Sequence, residues 1–165
     1  MQNNILQEME PTLQSKPETW TGFADILLVE DNPSDAEMTM RALAGCGFAP
    51  RIEHVSDGAE ALQYIASANL FAQKGAGSTP KLILLDLKLS GLGGLHVLRG
   101  LKADERTRGI PIVALTSSKI GIDLAESYKL GVNSYVIKPA DPFQFAEVIA
   151  AIGRYWLGIN ELPSL

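Results

Sequence analysis

A chain of 165 residues, 46% hydrophobic and 20% charged, supplies apolar material for one well-filled core but not for two domains of ordinary size. With 14 basic against 19 acidic side chains its formal charge is −5, the wrong sign for a surface that tracks a phosphate backbone, so direct nucleic-acid binding is not expected. No apolar run approaches the roughly 18 residues of a membrane span, the opening MQNNILQEMEPTLQSKPETW lacks the pattern of an export signal, and the lone Cys46 excludes an internal disulfide or a cysteine metal site; a cytoplasmic chain, with no membrane partner, is expected.

Residues 1–24 hold no sustained period and read as a tail. From Asp25 onward short apolar runs alternate with helix-period segments. Ile26–Val29 predicts a strand, followed by a helix with Asn32 as N-cap, Pro33 at the first helical position, and Ala36, Met40 and Leu43 recurring on one face. Ile52–Val55 predicts a second, weaker strand. Asp57 caps the next helix, Glu60 completes a capping box, and Leu62 and Ile65 face inward. Residues 71–80, rich in Gly, Ala and Ser, predict an enlarged surface loop.

Leu82–Leu85 is continuously apolar and ends in Asp86, the pattern of a central strand buried on both faces. A turn at Gly91–Gly94 leads to a helix carrying Leu95, Leu98 and Leu101. Ile112–Leu115 predicts the fourth strand, Ile120–Leu130 a helix stopped by Gly131, and Tyr135–Ile137 the last strand. Asp141 and Pro142 open a long final helix with Phe145, Val148, Ile149, Ile152 and Trp156 at helical spacing. The expected layout is a tail at 1–24, a domain at 25–157 and an extension at 158–165. Five strand–helix units predict an α/β, flavodoxin-like, doubly wound parallel sheet of order 2-1-3-4-5 with five helices.

In such sheets ligand chemistry sits beyond the carboxyl ends of the strands. There this sequence places Glu30 and Asp31 after strand 1, Asp86 at strand 3, Thr116 and Ser117 at strand 4, and Lys138 before Pro139 at strand 5. Any one such acid is more often a helix cap, and a lone Lys-Pro is usually a turn; the joint placement carries the argument. Crowded carboxylates repel unless a cation shares their site, and a hard divalent ion such as Mg²⁺ suits this oxygen set. Asp86 can then act as a nucleophile toward a phosphoryl group, with Lys138 and the Thr116 hydroxyl neutralising and positioning it.

Through ILLVEDNPSDAE, LILLDLKLSGLGG, IPIVALTSS and VNSYVIKPA, over about residues 25–155, the chain resembles the response regulator receiver family. The resemblance implies phosphorylation of Asp86 by a sensor histidine kinase. It implies metal binding by Glu30, Asp31, Asp86 and the Lys88 backbone carbonyl, a hydrogen bond from Thr116, a salt bridge from Lys138 and a cis Lys138–Pro139 peptide. The long loop before strand 3 and the ending RYWLGINELPS resemble the small regulators paired with phytochrome histidine kinases, which have no output domain and can be homodimeric. Departures are Ser90 where a proline is usual, Gly93 in place of an acidic residue, and Lys88 two residues past Asp86.

The resemblance also marks Tyr135 as a switch residue coupled to Thr116. His54 and His96 fall on separate elements and read as ordinary structural or surface residues. Phe143, Phe145, Tyr155, Trp156, Leu157 and Ile159 offer more apolar area than one covering face needs, so a homodimer through the last helix is expected. Three alternatives stand beside this reading. A flavin carrier needs a glycine- and hydroxyl-rich phosphate loop where Glu30 and Asp31 stand. An aspartate-nucleophile phosphatase needs an acid where Lys88 stands, so no enzyme is expected. The remaining alternative is a pseudo-receiver that binds a partner without being phosphorylated.

Overall fold

The computed structural model describes residues 24–73, 75, 79–117, 119 and 121–162. Strands β1 (Ile26–Val29), β2 (Ile52–Val55), β3 (Leu82–Asp86), β4 (Ile112–Thr116) and β5 (Ser134–Ile137) alternate with helices α1 (Pro33–Ala44), α2 (Gly58–Gln73), α3 (Gly94–Ala103), α4 (Gly121–Leu130) and α5 (Pro142–Arg154). All strand pairs are parallel and the order is β2-β1-β3-β4-β5, the flavodoxin-like topology.

The central strands β1, β3 and β4 are buried at every position, as continuous apolar runs covered on both faces require. Leu27, Val29, Ile83, Leu85, Ile112 and Ala114 pack on one face with Leu62 and Ile65 of α2 and Val97, Leu98 and Leu101 of α3. Ile26, Leu28, Leu82, Leu84, Val113 and Leu115 pack on the other with Ala36 and Leu43 of α1 and Phe145 and Ile149 of α5. Local chemistry fixes the helix starts. Asn32 Oδ1 accepts from the amides of Ser34 and Asp35, and Asp57 Oδ1 from the amide of Glu60, whose own carboxylate reaches back to the Ser56 amide.

Several expectations are corrected. Helix α2 continues to Gln73, past the predicted loop start at 71, because Ala66, Ala68 and Ala72 are strong helix formers; residues 74 and 76–78 lie outside the described set. Strand β5 begins one residue early, at Ser134. Ala24, assigned to the tail, is buried in the core beside β1, while residues 1–23 lie outside the described set. The Lys138–Pro139 peptide is trans: no described bond is cis, and an X–Pro bond accommodates either form.

At the end of α5 the chain forms one π-helical turn, Tyr155–Ile159, closed by the Asn160 amide on the Tyr155 carbonyl at 2.7 Å. Gly158 permits this turn, since a Cβ there would lie 2.3 Å from the Phe48 ring. Of the apolar residues expected in excess on this helix, Phe145 is buried, Trp156 and Leu157 pack against the core, and Phe143, Tyr155 and Ile159 are exposed. No described helix is long and apolar enough to cross a membrane.

Candidate functional site

The parallel register aligns Val29 with Leu85, which sets Glu30 and Asp86 side by side just past the last paired residues. Carboxylate oxygens of Glu30, Asp31 and Asp86 lie within 4.8 Å of one another. Lys138 follows β5, where its amide donates to the Thr116 carbonyl at 2.8 Å. Its side chain is only 8% exposed, and Nζ donates to Glu30 Oε2 at 2.5 Å, Asp35 Oδ2 at 2.9 Å and Asp86 Oδ2 at 3.2 Å.

The environment shifts two of these groups. Burial pushes Glu30 up most strongly; the Lys138 ammonium and the Asn32 amide oppose this and the Asp86 charge adds to it, leaving the carboxyl at about 7. Burial alone would lower Lys138, but hydrogen bonds to Asp35 and Glu30, with the charges of Asp86 and Glu30, reverse that and hold it above an ordinary lysine. The ammonium is therefore charged at neutral pH, and the Glu30 carboxyl holds its proton to higher pH than an ordinary glutamate.

The loop after β3 is fastened to the acids at two points. The Lys88 amide donates to Asp86 Oδ1 at 2.8 Å, and the Ser90 amide donates to Asp31 Oδ2 at 3.0 Å. The Lys88 side chain is exposed. Behind Asp86, Gly94 lets α3 start against β3: a Cβ there would sit 2.4 Å from the Asp86 carbonyl oxygen. Gly93 is the N-cap of that helix and has no side chain to cap with.

Thr116 is buried at the end of β4, next to Ile137 in register, while Tyr135 is half-buried and paired with Ala114. Strand alternation puts Thr116 on the same face as Ala114, and Tyr135 packs against that face too. The expected pair thus shares one side of the sheet, two residues apart along neighbouring strands. His96 lies apart in α3.

Two residues outside the predicted set join the site. Asp35, in the first turn of α1, adds a further carboxylate to Lys138; its signal in the sequence was an acid three residues past the Asn32 cap, a position that favours negative charge at a helix start. His54, expected to be an ordinary structural residue, places Nε2 2.8 Å from the Glu30 backbone carbonyl. The register that pairs Leu28 with His54 brings it there, which no local pattern foretells.

This donor set fits a hard divalent cation. Its atoms are carboxylate oxygens, Glu30 and Asp86 are buried while Asp31 is partly open to solvent, and one ammonium does not neutralise four neighbouring carboxylates. Beside Lys138 a cleft of about 490 Å³ opens between α1 and the start of α5, with Asp35, Ser117, Lys119 and Phe145 among its walls.

A parallel sheet of this order, with paired acids after its first strand, an aspartate ending its central strand and a lysine at the same carboxyl end, is the architecture of a receiver domain. Residues 26–150 match the response regulator receiver domain family, and the chain belongs to it. It is 43% identical to the probable methanogenesis regulatory protein FilR2 of Methanothrix harundinacea, over 84% of this chain and 86% of that protein. The solved structure of the phosphorylated cyanobacterial phytochrome response regulator RcpA is similar at 37% identity and a TM-score of 0.78, covering 86% of this chain and 99% of that one. The Mn²⁺-bound form of response regulator Rcp1, of Synechocystis, is similar at 30% identity and a TM-score of 0.77, again covering 86% and 99%. The chain spans about half the length, 49%, of the mycobacterial DNA-binding response regulators that it also matches.

Proposed function

We propose that this chain accepts a phosphoryl group on Asp86 from a sensor histidine kinase and relays the signal through its receiver surface. The observation that carries this reading is the Lys138 ammonium bound to Asp86 and Glu30 beside Asp31. A lysine so placed is ready to pair with a phosphoryl oxygen carried by Asp86. An Asp86 carboxylate oxygen attacks phosphorus in line, an O–P bond forms, the P–N bond of the donor phosphohistidine breaks, and the electron pair returns to the imidazole nitrogen. Thr116 donates a hydrogen bond to the incoming group, and Tyr135 repacks as Thr116 moves.

Glu30, Asp31, Asp86 and the Lys88 carbonyl would hold Mg²⁺, which supplies charge neutralisation between the carboxylates and the phosphoryl oxygens. The similarity to RcpA supports a phytochrome as the kinase. The functional unit on this reading runs from Ala24, buried beside β1, to residue 157, with an extension at 158–165, acting in the cytoplasm and pairing with a second copy through the last helix. The test is incubation with acetyl phosphate and Mg²⁺ followed by intact mass measurement. One phosphoryl group is expected on the parent and none on Asp86→Asn or in chelator; an adduct that persists in either control sinks the assignment.

A further inference from the structure

An ammonium has three N–H bonds, and those of Lys138 meet three carboxylates: Glu30, Asp35 and Asp86. Once Asp86 is phosphorylated its carboxylate becomes a neutral ester carbonyl and frees one donor for a phosphoryl oxygen; a second donor can come only from the contact with Glu30 or with Asp35. Asp35 differs from the other two. It comes from the first turn of α1 rather than from a strand end, and its side chain is 27% exposed, against 2% for Glu30 and 7% for Asp86.

A buried carboxylate that loses its cation is left without compensation, whereas a half-open one turns to water at little cost. Asp35 also lines the cleft beside Lys138, so its carboxylate has solvent to turn into. We propose that Asp35 is a positioning residue that holds Lys138 in the resting receiver and gives it up when Asp86 carries a phosphoryl group. No bond is made or broken at Asp35; its contact competes with the phosphoryl oxygen for one N–H, and its charge repels that oxygen while attracting a cation. The inference rests on the phosphoacceptor reading above.

The experiment measures two affinities of the full chain: for Mg²⁺ alone, and for beryllofluoride, a phosphoryl mimic, at saturating Mg²⁺. Asp35→Ala and Asp35→Asn are compared with the parent, and Glu37→Gln, two residues on in the same helix and paired with Arg41, serves as the charge control. Both Asp35 variants retain the helix cap, because Asn32 bonds the backbone amide of residue 35 and not its side chain. Beryllofluoride is expected to bind roughly two- to five-fold tighter to both variants, the scale of a partly exposed ion pair, while Mg²⁺ alone binds no tighter. A change confined to folding would not split the two affinities in this way. Unchanged or weaker beryllofluoride binding in both variants overturns the inference, as does an equal gain in Glu37→Gln. A parent that takes up no beryllofluoride instead sinks the phosphoacceptor reading itself.

Discussion

The backbone amide of Ser90 donates to Asp31 Oδ2 at 3.0 Å, tying the loop after β3 to the acid that follows β1. A proline, the residue the family resemblance leads one to expect at this position, has no N–H and could not make this bond. Ser90→Pro is therefore expected to free the Asp31 carboxylate and weaken Mg²⁺ binding by a factor corresponding to about 1 kcal/mol, the net worth of one hydrogen bond. Ser90→Ala keeps the amide and should bind as the parent does. Titration of Mg²⁺ into the three proteins decides the matter, and equal affinities would remove the tether from the account.

The buried Glu30 makes the metal-free protein sensitive to pH. Its carboxyl is raised from 4.5 to about 7 on folding, so between those values the folded state holds a proton that the unfolded chain has lost. Stability must then fall as pH rises through that window. Mg²⁺ favours the ionised carboxylate, so its affinity should rise over the same window with release of a proton. Urea midpoints at pH 5 and pH 7.5 without divalent ions, for the parent and Glu30→Gln, test this; equal pH slopes in the two proteins would refute it.

The sheet was legible because a strand buried on both faces must be apolar throughout, and Leu82–Leu85 is such a run. Glu30, Asp31, Asp86 and Lys138 were legible because they follow directly on those strands. Asp35, His54 and Ser90 were not. Each reaches the pocket through a contact that depends on how separate elements approach: α1 over the sheet end, β2 in register with β1, and the β3–α3 loop folded back on Asp31. The end of α2 was misplaced for a different reason, since alanines that read as loop filler are also the best helix formers.

Gly94 is expected to tolerate no side chain. A Cβ there would meet the Asp86 carbonyl oxygen at 2.4 Å and the Leu87 Cα at 2.5 Å, both backbone atoms that a rotamer change cannot move. Gly94→Ala should cost about 1–3 kcal/mol, the range for overpacking, and should slow labelling of Asp86 by acetyl phosphate. Gly93→Ala, with open space around its Cβ, should do neither. Denaturant midpoints and labelling rates give the comparison, and equal behaviour of the two variants would contradict it.

Phosphorylation is expected to strengthen self-association through the last helix. Phe143 is 83% exposed at its start and Tyr155 and Ile159 lie open at its end, while Tyr135 lies in β5 and Lys138 directly after it, in the segment leading into that helix. A coupling on the order of 1–3 kcal/mol is typical between such sites. Sedimentation with and without beryllofluoride should show a tighter dimer when the mimic is bound, and this tightening should diminish in Phe143→Ser with Ile159→Ser. Identical dimer constants with and without the mimic would end the proposal.

The imidazole of His54 is expected to matter to the pocket although it touches no carboxylate. With Nε2 2.8 Å from the Glu30 carbonyl, it donates to the peptide that leads into Asp31 and so fixes the direction in which both acids leave β1. Removing a partner from a part-buried carbonyl costs about 1–3 kcal/mol, and the freed peptide can rotate, which spreads the Glu30 and Asp31 carboxylates. His54→Ala should therefore lower both the denaturant midpoint and the Mg²⁺ affinity. His54→Gln, which offers an amide N–H from a side chain of similar reach, should recover most of the affinity even where stability is only partly restored. If Mg²⁺ binds His54→Ala as it binds the parent, the imidazole only fills the edge of the sheet and does not orient the site.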